Sequence, residues 1–574
     1  MNDTELLMQH FKKITDIPHG SGNTTALREA MEAFARAHGC ETRTDPTGNL
    51  LIIKNASIGA ENTPPVILQG HLDMVCEKEE NSEHDFLAHP LDLRITPDGE
   101  WLSAEGTTLG ADDGIALSYM LALIESESVR HPKLYMLMTS DEETGMYGAQ
   151  DLDPDWISEA ELMINLDSEE EGVFTVGGAG GLRVNGCYPL ERGLITGTRW
   201  KITASGLTGG HSGVEMDRWG VSAARLIASL LSDTLLYLDR PEDLHLIRID
   251  GGEKDNVITK KAMAEIITTG SEIQFHEAFS HMIQMYSRMY ADTDPDMKIV
   301  LEKTAENKTE QAVNYAGTRK ALFVISQIPH GIQFMEHGEV RQSLNIGKVE
   351  TTDDELHITM GLRGNTPDQI QVITDKTTSF IVSTGGTPDI EGSYPSWPEK
   401  KNSPLLKLMT KVYQDQYGVS PQIMVIHGGL ECGLIVEKLP DLDIVSIGPD
   451  LENVHTPEER MHIPSAVSVF EFLKRVLEQL AAAGPEDQGE HVEKTAAPAD
   501  LQINAAKADQ DSQPDPAADE SAQKADAADN TSDGEENGPA VITRTSGEVL
   551  SPKDVCGKDT GPADCTACEQ NCTE

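Results

Sequence analysis

The chain has 574 residues and a formal net charge of −51, from 96 acidic and 45 basic side chains. This length allows two or three domains with a substantial core, and the charge without a local basic patch excludes nucleic acid as the expected partner and predicts repulsion from anionic membranes. No apolar run approaches the roughly 18–20 residues of a membrane span and the first residues lack a basic-then-apolar leader, so we expect a cytoplasmic protein with no membrane partner.

Residues 1–186 alternate between helical and strand-like patterns, which predicts the first part of an α/β domain. Leu27, Met31 and Phe34 lie at helical spacing. The helix that they predict ends at His38-Gly39, and a strand over Leu50–Ile53 follows.

Residues 187–397 form a second stretch with strands of its own, predicted at Leu246–Ile249 and Glu355–Met360. A helix is predicted from Val221 to about Leu231. Residues 398–484 return to the first domain, where Ser465 is predicted to cap a closing helix.

Residues 485–574 differ in composition from the rest, with no Phe, Trp or Tyr and with 21 acidic against 6 basic side chains. Such a segment cannot bury enough apolar surface to fold, so we expect a disordered acidic tail. Its end carries four of the eight cysteines, for which a zinc site, two disulfides and a reduced disordered end all stay open. These are Cys556, Cys565, Cys568 and Cys572.

Carboxylates and histidines follow several apolar, strand-like runs. Loops at the carboxyl ends of strands in an open α/β sheet converge on one place, so residues distant in sequence can share a site there. Mixed imidazole and carboxylate ligands suit zinc, manganese or cobalt, and their number exceeds what one tetrahedral zinc ion needs, which predicts two ions. The candidates are His71, Asp73, Asp112, Glu142, Glu143, Asp167 and His455.

Asp112 lies in a glycine-flanked turn before a helical stretch, Ile115–Ile124. The free N–H groups of a helix start favour an anionic ligand, and a carboxylate there can offer one oxygen to each of two ions. Asp113 is predicted to be only a turn residue.

Six segments resemble a known family in order and spacing: TTLGADDG, SDEETGM, NLDSEEEG, GGHSG, HGGLECG and SIGPDLENVHTPEE. The chain closely resembles the metal-dependent peptidases of the M20 family, and within it the aminoacyl-histidine dipeptidase (peptidase D, Xaa-His dipeptidase) branch, from about residue 5 to about residue 480. The resemblance implies a mixed-sheet catalytic domain over 1–186 and 398–484, with an inserted α+β lid domain over 187–397.

The resemblance also assigns roles to the candidate residues. Asp112 bridges two ions, with His71 and Asp167 completing one site and Glu143 and His455 the other. The general base that activates the attacking water is Glu142, and Asp73 orients the imidazole of a ligand. His211, presented by the glycines of GGHSG, stabilises the oxyanion from the lid, in its own subunit or in a partner's.

Four residues are candidates for substrate binding. Asn256 and Asn345 are expected either to hydrogen-bond the substrate backbone or to serve turns and caps. Arg363 offers a bidentate fork to the carboxylate of a dipeptide, although its surroundings depart from the arginine–serine pattern of the branch and leave an adjacent register open. Glu431 is expected either to pair with the substrate amino group or to be a buried, internally paired acid.

The sequence therefore predicts a dinuclear dipeptidase that hydrolyses unsubstituted dipeptides, of Xaa-His type or broad specificity, with zinc, manganese or cobalt as the two ions. A homodimer is the candidate assembly. The same fold would also suit a deacylase or aminoacylase, which has no use for an acidic partner of a free amine. The third hypothesis is a non-catalytic metal-binding or interaction protein. The presence of Glu142 argues against it.

Overall fold

Two large sheets organise the part of the chain that the computed structural model describes, residues 2–213 and 220–482. The predicted tail and its four cysteines lie outside these residues. No helix in the described ranges is both long and apolar enough to cross a membrane.

The described α-helices are interspersed with strands along the chain, and two of them follow one another directly only at its start. They are α1 (Asp3–Thr15), α2 (Thr25–Ala37), α3 (Ala111–Glu125), α4 (Tyr147–Asp151), α5 (Ala223–Thr234), α6 (Glu272–Met289), α7 (Tyr315–Gln327), α8 (Pro367–Ser383), α9 (Pro404–Tyr417), α10 (Cys432–Lys438) and α11 (Ile463–Ala482).

The described strands fall into two large and two small sheets. They are β1 (Glu41–Thr44), β2 (Leu50–Lys54), β3 (Val66–His71), β4 (Leu93–Ile95), β5 (Trp101–Ala104), β6 (Leu134–Thr139), β7 (Leu162–Asn165), β8 (Val173–Gly178), β9 (Gly180–Pro189), β10 (Arg192–Ser205), β11 (Gly210–His211), β12 (Leu244–Gly251), β13 (Val257–Ile258), β14 (Ala262–Thr268), β15 (Lys298–Val313), β16 (Gly331–Glu336), β17 (Glu339–Thr351), β18 (Glu355–Gly364), β19 (Thr387–Tyr394), β20 (Gln422–Ile426), β21 (Asp443–Ser446), β22 (Leu451–Glu452) and β23 (Arg460–His462).

The first large sheet has the order β1-β2-β6-β3-β7-β21-β8-β20 and is mixed. Its central strands β6, β3 and β7 are parallel neighbours and buried on both faces, which explains their continuous apolar sequences. Alternate residues point to opposite faces, so Leu50 and Ile52 join the core under α1, α3 and α11, and Leu51 and Ile53 join the core under α10. The predicted mixed α/β fold is confirmed.

The second large sheet is built from residues 180–394 and has the order β15-β10-β14-β12-β17-β18-β9-β19, with β16 paired to β17. Its neighbours are antiparallel, and helices α5 to α8 contribute to the core on one of its faces. We call residues 180–394 the lid domain. The boundary expected between residues 186 and 187 lies within β9, and all of β9 belongs to the lid sheet.

The predicted cap at Ser465 is wrong. Helix α11 begins at Ile463, so Ser465 lies inside its first turn. The Ser465 hydroxyl instead accepts a hydrogen bond of 2.9 Å from the backbone N–H of Asp450, in the segment that leads to His455.

Candidate metal centre and active site

Three parallel strands deliver acidic and imidazole side chains to one edge of the first sheet. His71 is the last residue of β3, Asp167 comes two residues after β7, and Glu142 and Glu143 come three and four residues after β6. Because β6, β3 and β7 are parallel neighbours, their carboxyl ends meet at the same edge, which is where open α/β sheets bind ligands.

Asp112 lies between two histidines at this edge. Its Oδ1 is 3.0 Å from His71 Nε2, and its Oδ2 is 3.0 Å from His455 Nε2. His71 Nε2 is also 3.6 Å from an oxygen of Asp167, and His455 Nε2 is 3.0 Å from an oxygen of Glu143. The two groups share the carboxylate of Asp112, and in each of them the ligand atoms lie within 4.8 Å of one another. This arrangement fits two divalent ions joined by a bridging carboxylate.

Charge at the site strongly favours bound cations. Burial lowers the pKa of His71, but the neighbouring carboxylates of Asp112 and Asp167 raise it well above its ordinary value. His455 behaves alike, with its pKa raised to about 11 by Asp112 and Glu143 against the effect of burial. Burial raises the pKa of Asp167 to about 6. The protein thus crowds more negative charge into the site than it neutralises, and divalent ions would compensate it.

Asp73 is a buried anchor for the loop that carries the two glutamates. Its carboxylate accepts hydrogen bonds from the backbone N–H of Glu142 at 3.0 Å, from that of Glu143 at 3.3 Å and from the Ser21 hydroxyl at 2.7 Å. His71 Nδ1 is 2.9 Å from the backbone oxygen of Asp73 and 3.6 Å from its carboxylate. Nδ1–H therefore donates to the backbone of Asp73, which leaves Nε2 as the candidate ligand atom.

Glu142 lies beside the two imidazole–carboxylate groups. One carboxylate oxygen of Glu142 belongs to a group with His71 and Glu143 whose ligand atoms all lie within 4.8 Å. Burial raises its pKa well above the ordinary value, and the charges of Asp167 and Glu143 raise it further.

The prediction that Asp113 is only a turn residue is wrong. Asp113 is 2% exposed, and its Oδ2 accepts a hydrogen bond of 3.1 Å from the backbone N–H of His71. A Cβ on Gly70 would lie 2.3 Å from this oxygen, so the glycine makes room for the contact. Asp113 thus fixes the end of β3, although Asp fits turns so commonly that its sequence position suggested nothing more.

Glu459 also supports the site and was not predicted. Its buried carboxylate accepts hydrogen bonds from the backbone N–H groups of Leu109 at 2.7 Å, Gly110 at 3.1 Å and Ala111 at 2.8 Å. These residues directly precede Asp112. No sequence signal separates Glu459 from the exposed Glu458 beside it, because the contact joins segments about 350 residues apart.

Asn256, Asn345 and His211 lie in neighbouring segments of the lid domain that are joined by hydrogen bonds. Strands β11 and β13 pair His211 with Val257, and the backbone N–H of Ser212 donates to the backbone oxygen of Asn256 at 2.8 Å. Asn345 on β17 is 1% exposed, and its amide donates to the backbone oxygens of Asp255 at 2.8 Å and of Val257 at 2.9 Å. Asn345 therefore holds the residues on both sides of Asn256.

Arg363 lies in the sheet of the lid domain, whereas Glu431 lies beside the first large sheet. Arg363 on β18 is half-buried, and its Nη1 donates to the hydroxyl of Tyr394 at 3.0 Å. Glu431 is fully buried beside the first sheet, where its Oε2 accepts hydrogen bonds from Gln69 at 2.6 Å and Thr139 at 2.5 Å. Burial raises the pKa of Glu431 to about 8. Its Oε1 has no hydrogen-bond partner among the described residues.

Two imidazole–carboxylate groups that share an aspartate, beside a half-buried glutamate at the carboxyl edge of a mixed sheet, define a metal-dependent hydrolase. Comparison with known proteins identifies which kind. The sequence model of peptidase family M20/M25/M40 matches residues 67–479, so the chain belongs to this family of metallopeptidases. The resemblance predicted from the six motifs is confirmed.

Two relatives extend over most of the chain. A cytosol non-specific dipeptidase from Escherichia coli (strain K12) is 34% identical over 479 residues, which cover 82% of this chain and 97% of that protein. The crystal structure of aminoacylhistidine dipeptidase from Vibrio alginolyticus has 32% sequence identity and a TM-score of 0.72, and the match covers 83% of this chain and 96% of that chain.

Proposed function

We propose that this protein is a dinuclear metal-dependent dipeptidase that hydrolyses unsubstituted dipeptides. The observation that carries the proposal is the Asp112 carboxylate, whose two oxygens each lie 3.0 Å from a histidine Nε2, with Glu142 beside the group. The names of the two relatives, both dipeptidases, support the substrate class. Zinc is the first choice of metal for these ligands, with manganese or cobalt as alternatives.

The chemistry is divided among a few side chains. Two bound ions would polarise the scissile carbonyl and lower the pKa of the attacking water. Glu142 takes the proton of that water and passes it to the leaving amine. Asp73 holds both the Glu142 loop and the His71 ring in place, and His211 donates to the oxyanion from the lid.

Substrate binding in this proposal uses both ends of the dipeptide. Arg363 binds the carboxylate, and its bond to Tyr394 through Nη1 leaves Nη2 and Nε to donate. Asn256 bonds to the substrate backbone, while Asn345 acts by holding the Asn256 loop. The unpartnered Oε1 of Glu431 is the candidate acceptor for the amino group, while its Oε2 supports Gln69 and Thr139.

A comparison of kcat/KM between free and N-acetylated dipeptides tests the proposal. The protein is loaded in turn with zinc, manganese and cobalt, and kcat/KM is measured for each dipeptide and its N-acetyl derivative. A buried acid left without its charged partner costs about 1–3 kcal/mol or more, so N-acetylation should lower kcat/KM at least about fivefold. Equal or higher rates on the N-acetyl substrates would favour the deacylase, and no hydrolysis of either with any metal would favour the non-catalytic reading.

We also propose that the protein is cytoplasmic and acts as a homodimer. The strongly acidic composition and the name of the Escherichia coli relative support the location. Cell fractionation tests the location, and light scattering of the metal-loaded protein tests the assembly.

A further inference from the structure

One short loop contacts both the first large sheet, which carries candidate metal ligands, and the lid domain. The loop follows β20 and spans residues 427–431, with a buried side chain at each end. Glu431 contacts Gln69 and Thr139 in the first sheet, and Thr139 lies three residues before Glu142. His427 at the other end contacts the lid domain. The loop thus links the first large sheet to the lid domain.

His427 makes two side-chain hydrogen bonds with lid residues. Its Nε2 is 2.8 Å from the hydroxyl of Ser343, and its Nδ1 is 2.9 Å from the amide oxygen of Asn365. Because the Asn365 amide nitrogen faces the backbone oxygen of Ile426, its oxygen faces His427, so Nδ1 carries the proton and donates. Nε2 then accepts from Ser343. Burial, together with the charges of Arg363 and Arg341, lowers the pKa of His427 to about 3, so the ring is neutral.

Both contacts of His427 flank Arg363. In the antiparallel register of β17 and β18, Ser343 lies directly opposite Arg363, and directly opposite residues share a face of the sheet. Asn365 follows Arg363 by two residues. His427 is therefore hydrogen-bonded to the cross-strand neighbour of Arg363 and to the residue just beyond the end of its strand.

The same loop also constrains the partner of the guanidinium. A Cβ on Gly429 would lie 2.6 Å from Cε2 of Tyr394, the residue whose hydroxyl accepts from Arg363 at 3.0 Å. The loop backbone therefore closely approaches the ring of Tyr394. The loop therefore contacts the cross-strand neighbour of Arg363, the residue two positions after it and the ring of Tyr394, whose hydroxyl accepts from its guanidinium.

We infer that His427 is a positioning residue that fixes Arg363 relative to the metal ligands and so selects substrates of dipeptide length. The inference rests on the proposed function, in which Arg363 binds the substrate carboxylate. Each further residue would move that carboxylate by about 3.3–3.6 Å. Misplacement by about 1 Å already costs about 100-fold in rate, so a rigidly held guanidinium accepts one length only.

The test compares a free dipeptide, its carboxy-terminal amide and a tripeptide on variants of the full chain loaded with metal. The variants are His427→Phe, which removes both hydrogen bonds, Tyr394→Phe, which removes only the acceptor for Arg363, and His427→Gln, which keeps a donor and an acceptor. His245→Gln is the matched control, because His245 is a buried lid histidine bonded to the backbone of Val313.

His427→Phe and Tyr394→Phe should lower kcat/KM for the free dipeptide by about 10- to 100-fold, mainly through KM. They should change kcat/KM for the amide less than about twofold. The ratio of kcat/KM for the dipeptide to that for the tripeptide should fall together with kcat/KM for the free dipeptide. His427→Gln should restore part of the preference, and His245→Gln should retain it. A merely structural role would lower the rates on all three substrates together, and that result, or an unchanged preference in all His427 and Tyr394 variants, would overturn the inference.

Arg363→Met separates the inference from the function on which it rests. If Arg363→Met retains the preference for the free carboxylate over the amide, the proposed role of Arg363 is wrong. If Arg363→Met abolishes that preference while the His427 and Tyr394 variants retain it, only the inference about positioning is wrong. Should His427→Phe fail to fold, Tyr394→Phe and His427→Gln still decide the question.

Discussion

Asn345→Ala tests whether this asparagine binds substrate or positions the residue that does. The substitution removes two hydrogen bonds, of 2.8 and 2.9 Å, from the amide to the backbone oxygens of Asp255 and Val257. Each such bond contributes about 1 kcal/mol net, so we expect the free energy of unfolding to fall by about 2 kcal/mol. The Oδ1 of Asn345 has no hydrogen-bond partner among the described residues, so its removal adds no further loss.

The effect on catalysis follows from what the two bonds hold. Without them the loop that carries Asn256 loosens. A shift of about 1 Å there would lower kcat by up to about 100-fold, which corresponds to about 2.7 kcal/mol of transition-state stabilisation.

A double-mutant cycle with Asn256→Ala separates the two roles. If Asn345 acts only through Asn256, the double variant should lose no more transition-state stabilisation than Asn256→Ala alone, whereas two independent substrate contacts would give additive losses. Steady-state kinetics on one free dipeptide and urea unfolding of the same proteins supply both free energies, with the exposed Glu350→Gln on β17 as control. Additive kinetic losses, or unchanged stability of Asn345→Ala, would refute the positioning role.

Three further predictions concern the base, the fold and the tail. Glu142→Gln should keep two ions per chain but lose about 10²–10⁴ in kcat, whereas Glu143→Gln should lose metal, and metal analysis beside kinetics distinguishes them. For His427, with a folded-state pKa of about 3 and an ordinary value of 6.5, the unfolded chain binds the extra proton, so stability falls as pH drops from about 6.5 toward 3. His427→Gln should flatten that part of the pH profile in urea unfolding. Ending the chain at Gly484 should leave folding and activity unchanged, and metal analysis of both forms shows whether the terminal cysteines bind an additional ion.

The alternation of apolar runs and polar loops was enough to predict the fold class and the edge of the sheet that carries the site. Strands such as Val66–His71 are buried on both faces and therefore apolar throughout, which makes them visible in a sequence. A ligand that follows such a strand directly, like His71, is placed by local structure alone. Asp112 and His455 are brought to it by the fold, and their order and spacing in the chain pointed to the family.

The supporting contacts that sequence reasoning missed join distant segments of the chain. Glu459 reaches Leu109, His427 reaches Ser343, and Asn345 reaches Asp255, across separations of 350, 84 and 90 residues. A buried acid, histidine or asparagine has no pattern of its own, because its role depends on which backbone group it meets after folding. Their common feature is support, because each contacts a segment that carries a candidate ligand or a candidate binding residue.

Metal binding should be coupled to the stability of the fold, with a pH dependence that follows from the carboxylates. Burial raises the pKa of Asp167 to about 6 in the metal-free site, from an ordinary value of 3.8. Between these values the folded, metal-free chain keeps a proton that the unfolded chain has lost, so its stability falls as the pH rises through this window.

A divalent ion must displace the same proton, and also the proton on His455, so its affinity rises with pH. At 100 times its Kd one ion adds about 2.7 kcal/mol of stability. The difference in melting temperature between metal-loaded and chelated protein should therefore widen from pH 5 to pH 8, measured calorimetrically at fixed free metal. A difference that is constant or narrows over this range would mean that the carboxylates around Asp112 are not the groups that bind the ions.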